Sequence, residues 1–153
     1  MVTSATISPA RAQVRTFRFP TPYGPESDGT LTWDSTVAVT VHVRALGASG
    51  LGWTYSDPSA ASLIAGTLLP ALDGHDPLDT PRCWQTMVRA CRNLGRPGLT
   101  SQAIAAVDIA LWDLKARVLD LPLHRVFGAA RDAVPVYGSG GFVSLTDDQL
   151  RAQ

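Results

Sequence analysis

Ala103-Ile-Ala-Ala-Val-Asp-Ile-Ala-Leu-Trp-Asp-Leu-Lys-Ala-Arg117, continued by Pro122-Leu-His-Arg-Val-Phe-Gly128, is the stretch on which the fold turns. Ile104, Val107, Leu111, Leu114 and Val118 recur at spacings of three and four. They form one apolar stripe of a helix that the pattern runs from Thr100 or Ser101 to about Leu119. Asp108, Trp112 and Lys115 make a second stripe, and Asp113 and Arg117 form an i,i+4 pair elsewhere on its surface. Two unlike faces imply a helix packed on both sides, against its own sheet and against something else. Pro122 begins a short turn that Gly128 closes.

Upstream, Thr36 to Arg44 alternates strictly: Val37, Val39, Val41 and Val43 point one way and Ala38, Thr40, His42 and Arg44 the other. That is the pattern of a half-buried strand, with His42 on its outer face. Gly47 and Gly50 bracket a turn, and Leu51 to Tyr55 pairs back as a hairpin. Residues 3 to 19 read as an extended segment carrying Val14, Phe17 and Phe19, with Pro9 weakening its start. Between them, three prolines and two glycines in Pro20 to Thr30 deny that stretch a regular ladder. Ser56 or Asp57 caps a helix from about Pro58 to Leu69, and Asp79 or Thr80 caps one carrying Trp84, Met87, Val88 and Cys91, ended by Gly95-Arg-Pro-Gly98.

Strands followed by helices give an α+β class: a three-stranded antiparallel meander, then a helical bundle. Downstream, Ala133-Val-Pro-Val-Tyr137 reads as a new strand and Leu145 to Gln153 as a helix, capped through either Ser144-x-x-Asp147 or Thr146-x-x-Gln149. The expected division is 1–130 for the α+β unit and 131–153 for the first strand and helix of a further, unfinished domain.

The 153 residues carry 13 basic and 13 acidic groups, 45% hydrophobic residues and a mean hydropathy of +0.07. This is a globular composition with no excess charge to draw it to nucleic acid or to an anionic membrane. No apolar run approaches membrane-spanning length and no signal peptide is read, so a cytoplasmic location is expected. Cys83 and Cys91, eight positions apart on one helix and so about 12 Å apart in rise, are expected as unpaired thiols packed beside Met87. The basic residues are twelve Arg and Lys115 alone; the acidic ones are twelve Asp and Glu26 alone. A mechanism needing two lysines or two glutamates cannot run on these residues. Asp108 and Asp113 lie about 140° apart around their helix and do not converge. Gly138-Ser-Gly-Gly141 lacks the order of a phosphate loop, no Ser sits in a GxSxG elbow, and no metal-ligand spacing is present, so no catalytic or metal residue is assigned.

The 103–128 block resembles the signature of the mandelate racemase and muconate lactonizing enzyme group of the enolase superfamily. The match covers Ala103, Ala105, Ala106, Asp108, Ala110, Leu111, Asp113, Ala116, Arg117, Pro122, Leu123 and Gly128, with Val126 where the family usually has Leu. The resemblance implies a capping domain followed by the start of a (β/α)8 barrel. It implies an enzyme that abstracts the proton α to a carboxylate with Mg²⁺ held by the barrel, as an acid-sugar dehydratase or a racemase. The partner would be a hydroxy-carboxylate or acid sugar, together with a homo-oligomeric assembly. For these residues it implies substrate enclosure by two loops, Pro20 to Trp33 and Trp53 to Asp57, with Tyr23, Trp33, Trp53 and Tyr55 offering amphipathic surface and Tyr137 and Ser139 ending the first barrel strand. Trp53 reads equally well as a core residue. The competing reading is a noncatalytic cap that serves as a binding module, or a gene fragment without function; on either reading the chain alone is expected to be inactive.

Overall fold

The computed structural model of the chain describes residues 6–138 and 141–152. Its centre is a three-stranded antiparallel sheet in the order β1 (Ala12–Pro20), β4 (Ser35–Ala45), β5 (Ala48–Tyr55). Val37, Val39, Val41 and Val43 are buried as the alternation requires, and the register sets Val14 opposite Val41 and His42 opposite Leu51. β1 is shorter than its extended reading because Pro9 opens a 3-10 turn, Pro9–Arg11. Ahead of it Ile7, fully buried, exchanges backbone hydrogen bonds with Gly74 and His75.

The hairpin turn is Leu46-Gly47, both with positive φ (53° and 79°), the twist that suits a two-residue connection. Gly50 is therefore not part of the turn. With Gly52 it lies within β5, against the long helix α4 (Leu99–Val118), where a Cβ on Gly50 would stand 2.0 Å from the Ala110 carbonyl oxygen and one on Gly52 1.9 Å from that of Ala106. Strand and helix touch backbone to backbone, and the buried Ala103, Ala106 and Ala110 keep that seam thin.

α4 also packs on α1 (Ser59–Leu63), α3 (Thr80–Ala90) and the turn between α1 and α2 (Leu69–Ala71), and its larger buried side chains Ile104, Val107, Leu111 and Leu114 join the one core cluster with the strand valines. The helical layer starts as a continuous stretch over 59–71, composed of α1, a widened π turn (Ile64–Leu68) and α2. Pro70 explains the widening: an ordinary α turn would press its ring against the Gly66 carbonyl. α3 (Thr80–Ala90) buries Cys83 and Met87, and Cys91 follows it; both thiols are unpaired and buried. α4 ends with Asp120 at φ 52°, where Asp120 N–H donates to Arg117 O and Leu121 N–H to Ala116 O, a Schellman pair in which aspartate occupies the position glycine usually takes. α5 (Leu123–Val126) is the short turn before Gly128.

The loop after β1 is more ordered than its prolines suggest. β2 (Glu26–Ser27) and β3 (Thr32–Trp33) pair across a turn in which the Asp28 carboxylate accepts from Thr30 N–H, Thr30 O–H and Leu31 N–H. Those bonds hold the Asp28 carboxyl below the ordinary carboxylate range. Trp33 Nε1 donates to the buried Glu26 at 3.1 Å, and Phe142 meets the Trp33 ring edge-on at 5.2 Å.

The expected strand at 133–137 is not formed. No neighbouring strand pairs with it among the described residues, and an extended segment without a ladder partner leaves its backbone groups to water. Val134 and Val136 are exposed accordingly. α6 (Asp147–Ala152) does form, capped through Thr146 and Gln149, while Ser144 Oγ instead accepts from Ser27 N–H. The chain exposes 9812 Å², against roughly 7,500 Å² for a compact monomer of its mass, and the segment past Gly128 contributes to the surplus. Among the described residues no helix is long and apolar enough to cross a membrane.

Candidate functional site

At one end of the sheet, β1 finishes, β4 begins, β5 ends and the first turns of α1 and α4 arrive together. They enclose a cleft of about 420 Å³ lined by Arg18, Ser35, Tyr55, Asp57 and Gln102, with Val37, Ser56 and Pro58 completing it. Arg18 occupies the inward-facing parity of β1, opposite Val37, but beyond the apolar core, so its guanidinium reaches the cleft; its Nη1 donates to Ser35 Oγ at 2.7 Å. Ser56 N–H continues the ladder to Val37 O, and Ser56 Oγ donates to Gln102 Oε1 at 2.7 Å. That leaves the Gln102 amide hydrogens unspent. Asp57 accepts from Ser59 Oγ and from Ser59 N–H at 2.8 Å, capping α1. The Ser59 hydroxyl, then its N–H, then the Arg18 charge hold the Asp57 carboxyl below its usual range.

The free donors are a guanidinium with unspent N–H groups and the Gln102 amide, beside one anionic carboxylate; the Ser35 and Ser56 hydroxyls spend their hydrogens on Asp34 Oδ1 and Gln102 Oε1, and Tyr55 borders the cleft from the strand end. Such a set suits a polyhydroxylated anion, the guanidinium meeting a carboxylate and the neutral groups meeting hydroxyls. Among the described residues no three His, Cys, Asp or Glu side chains are placed to hold a metal ion.

Of the residues singled out from sequence, Tyr55 lines this cleft. Trp53 shares its face of β5, opposite Thr40, and is 56% exposed, which rules out the core reading. Trp33 is tied to Glu26 and Phe142, and Tyr23, 44% exposed, lies on the loop before β2; neither lines the cleft. Tyr137 is 89% exposed on the unpaired segment, and Ser139 lies outside the described residues. Sequence reasoning missed Arg18, Ser35 and Gln102. Arg18 was detectable: a charged residue at the inward parity of a strand needs a partner or a cleft.

The family described as mandelate racemase / muconate lactonizing enzyme, N-terminal domain, matches residues 11–128. Among curated proteins, the L-talarate/galactarate dehydratase of Salmonella typhimurium is 39% identical over 108 residues, which are 68% of this chain and 27% of that protein. Among solved structures, a mandelate racemase/muconate lactonizing enzyme-like protein from Rubrobacter xylanophilus superposes with a TM-score of 0.88 at 46% identity, covering 95% of this chain and 40% of the other. A racemase from Streptomyces coelicolor A3(2) with bound magnesium gives 0.78 at 33%, covering 86% and 38%. The chain thus spans only about a quarter to two fifths of the length of these relatives.

Proposed function

Because the chain belongs to the mandelate racemase/muconate lactonizing enzyme family, as its N-terminal domain, we propose that it forms the substrate-enclosing cap of an enzyme acting on a hydroxy-carboxylate, an acid sugar above all. The observation that carries this reading is the cleft holding Arg18, Ser35, Tyr55 and Gln102 at the loop end of the sheet. Arg18 binds a substrate carboxylate, Tyr55 and Gln102 bind its hydroxyls, and the 20–33 loop with Tyr23 and Trp33 closes over the bound molecule and excludes water. Trp53, Tyr137 and Ser139 belong to the same rim in this proposal, and the domain boundary lies near residue 130. The talarate/galactarate dehydratase supports the acid-sugar class through its name, and the magnesium in the racemase crystal supports Mg²⁺ chemistry in the whole enzyme. The residues described here do not fit a Mg²⁺ site, so no step is assigned to the ion in this chain. Two buried, unpaired thiols suit a reducing, cytoplasmic compartment.

The test grafts this chain onto the barrel of the talarate/galactarate dehydratase. Tyr55→Phe is expected to lower kcat/KM by the worth of one hydrogen bond, ~0.5 to 3 kcal/mol, and Arg18→Gln by at least as much, with Mg²⁺ affinity unchanged. Unchanged kcat/KM in both variants removes these residues from the site. The chain alone, incubated with galactarate and Mg²⁺, is expected to show no turnover above the enzyme-free control.

A further inference from the structure

A second cleft, sharing no residue with the first, opens between α3 and α4. Its volume is about 310 Å³, and its lining is Thr80, Pro81, Trp84, Gln85, Asp108 and Trp112. The polar groups in it are unspent. Asp108, half-buried, has no hydrogen bond or ion pair among the described residues, and burial pushes its carboxyl above the usual range. Thr80 is fully buried and its unpartnered hydroxyl is sealed from the cleft, so it forms part of the wall and not of the acceptor set. A half-buried carboxylate left open is destabilising unless something supplies its hydrogen bonds. The cations nearby are already committed. Lys115 donates to Leu78 O at 2.9 Å and lies 5.1 Å from the centre of the Trp112 ring, while Arg96 lies 4.9 Å from that of Trp84. Neither belongs to the lining.

We propose that this cleft is a receptor for a guanidinium group: Asp108 accepts two of its N–H bonds, the Gln85 amide oxygen accepts another, and the flat group is flanked by the Trp84 and Trp112 side chains that line the cleft. The chemistry separates this cation from its competitors. A metal ion needs more anionic ligands than one carboxylate. An ammonium is more strongly hydrated and has no flat face to lay on an indole, whereas guanidinium is planar, weakly hydrated and matched to a carboxylate by paired donors. The volume admits the head group with its methylene stem. The acidic Asp76 and Asp79, close enough with Asp108 to raise the Cys83 thiol, add to the attraction. The proposal is independent of the acid-sugar reading, because no residue is shared and the probe carries the opposite charge.

The test uses the whole chain labelled with ¹⁵N and follows the four Trp indole N–H signals during titration with N-acetyl-arginine amide. Trp84 and Trp112 are expected to shift together with millimolar saturation, while Trp33 and Trp53 stay still and N-acetyl-norleucine amide moves none of them. Asp108→Asn should weaken binding at least fivefold. Gln85→Glu, an exposed substitution that adds a second carboxylate, should tighten it at least threefold, and this holds the proposal to account even where the Asp108 variant folds poorly. Equal shifts with the norleucine probe, unaltered affinity in Asp108→Asn, or no gain in Gln85→Glu overturns it. Methylguanidinium and an Ala-Arg-Ala peptide separate the sources: a tighter peptide assigns the cleft to an arginine on a protein surface, and a tighter methylguanidinium assigns it to a small metabolite.

Discussion

Gly52→Ala places a Cβ 1.9 Å from the Ala106 carbonyl oxygen and 2.6 Å from the Ala110 nitrogen. Both are backbone atoms of a 20-residue helix, so no side-chain rotation relieves the clash. Reaching ordinary contact near 3.4 Å requires strand and helix to part by about 1.5 Å along the seam that buries Ala103, Ala106 and Ala110. Overpacking of this kind costs ~1 to 3 kcal/mol, and immovable backbone on both sides puts this case at the upper end. The lost flexibility of the unfolded chain returns ~0.4 to 1 kcal/mol, for a net destabilisation of about 2 kcal/mol and a fall in Tm of roughly 4 to 8 °C. Urea and thermal unfolding followed by circular dichroism measure it. Gly66→Ala is the control, since nothing lies within 4 Å of a Cβ there; it should leave stability unchanged or raise it by ~0.5 to 1 kcal/mol. Ala106→Gly should not rescue Gly52→Ala, because the atom in the way is a carbonyl oxygen. A Gly52→Ala chain within ~0.5 kcal/mol of the parent, or a rescue by Ala106→Gly, refutes the backbone-contact account.

Asp120→Gly should stabilise the chain by about 1 kcal/mol in the same unfolding assay, since it relieves φ 52° at the Schellman position and removes a negative charge from the C-terminal end of α4. The Cys83 thiol is pushed up to about 11, by burial first and then by Asp79, Asp76 and Asp108. Its unfolded pKa is lower, so the folded state keeps a proton that the unfolded state gives up: stability should be constant below about pH 8.5 and fall by up to ~1.4 kcal/mol per pH unit from there to 11. Cys83→Ala should flatten that slope, which urea midpoints between pH 8 and 11 will show; an unaltered slope would exclude the thiol as its source.

Legibility followed the range of the interactions. β4 and α4 were readable because Val37 to Val43 and Ile104 to Leu114 each repeat a local period, and burial of one face is all the pattern needs. The β2–β3 pair was not readable, because Trp33 is held by Glu26 and by Phe142, and Ser27 bonds Ser144 across 117 positions. Gly50 reads from sequence as a turn residue because glycine signals left-handed backbone and close approach with the same letter. Only the three-dimensional partner, Ala110, distinguishes them. Tyr55 was legible as an aromatic at a strand end, whereas Gln102 looked like any polar residue at the start of a helix. The strand expected at 133–137 has the right composition and, among the described residues, no neighbour to pair with.

The seam and the candidate site are one geometric problem. Two residues along a strand advance about 6.7 Å and four along a helix about 6 Å, so a strand lying antiparallel on a helix keeps step with it over several residues. Gly50 meets Ala110 and Gly52 meets Ala106; continuing that step carries the end of β5 to Gln102, where Ser56 Oγ bonds Gln102 Oε1 at 2.7 Å. The glycines thus set how closely the first turn of α4 approaches Tyr55, and hence the width of the cleft that Arg18 enters. A 1.5 Å separation at Gly52 would stretch the Ser56–Gln102 contact past hydrogen-bonding distance and release the Gln102 amide from its place in the cleft. Packing defects in this seam should therefore widen the cleft at temperatures where the chain is still folded, and in the grafted enzyme of the proposed function raise KM there.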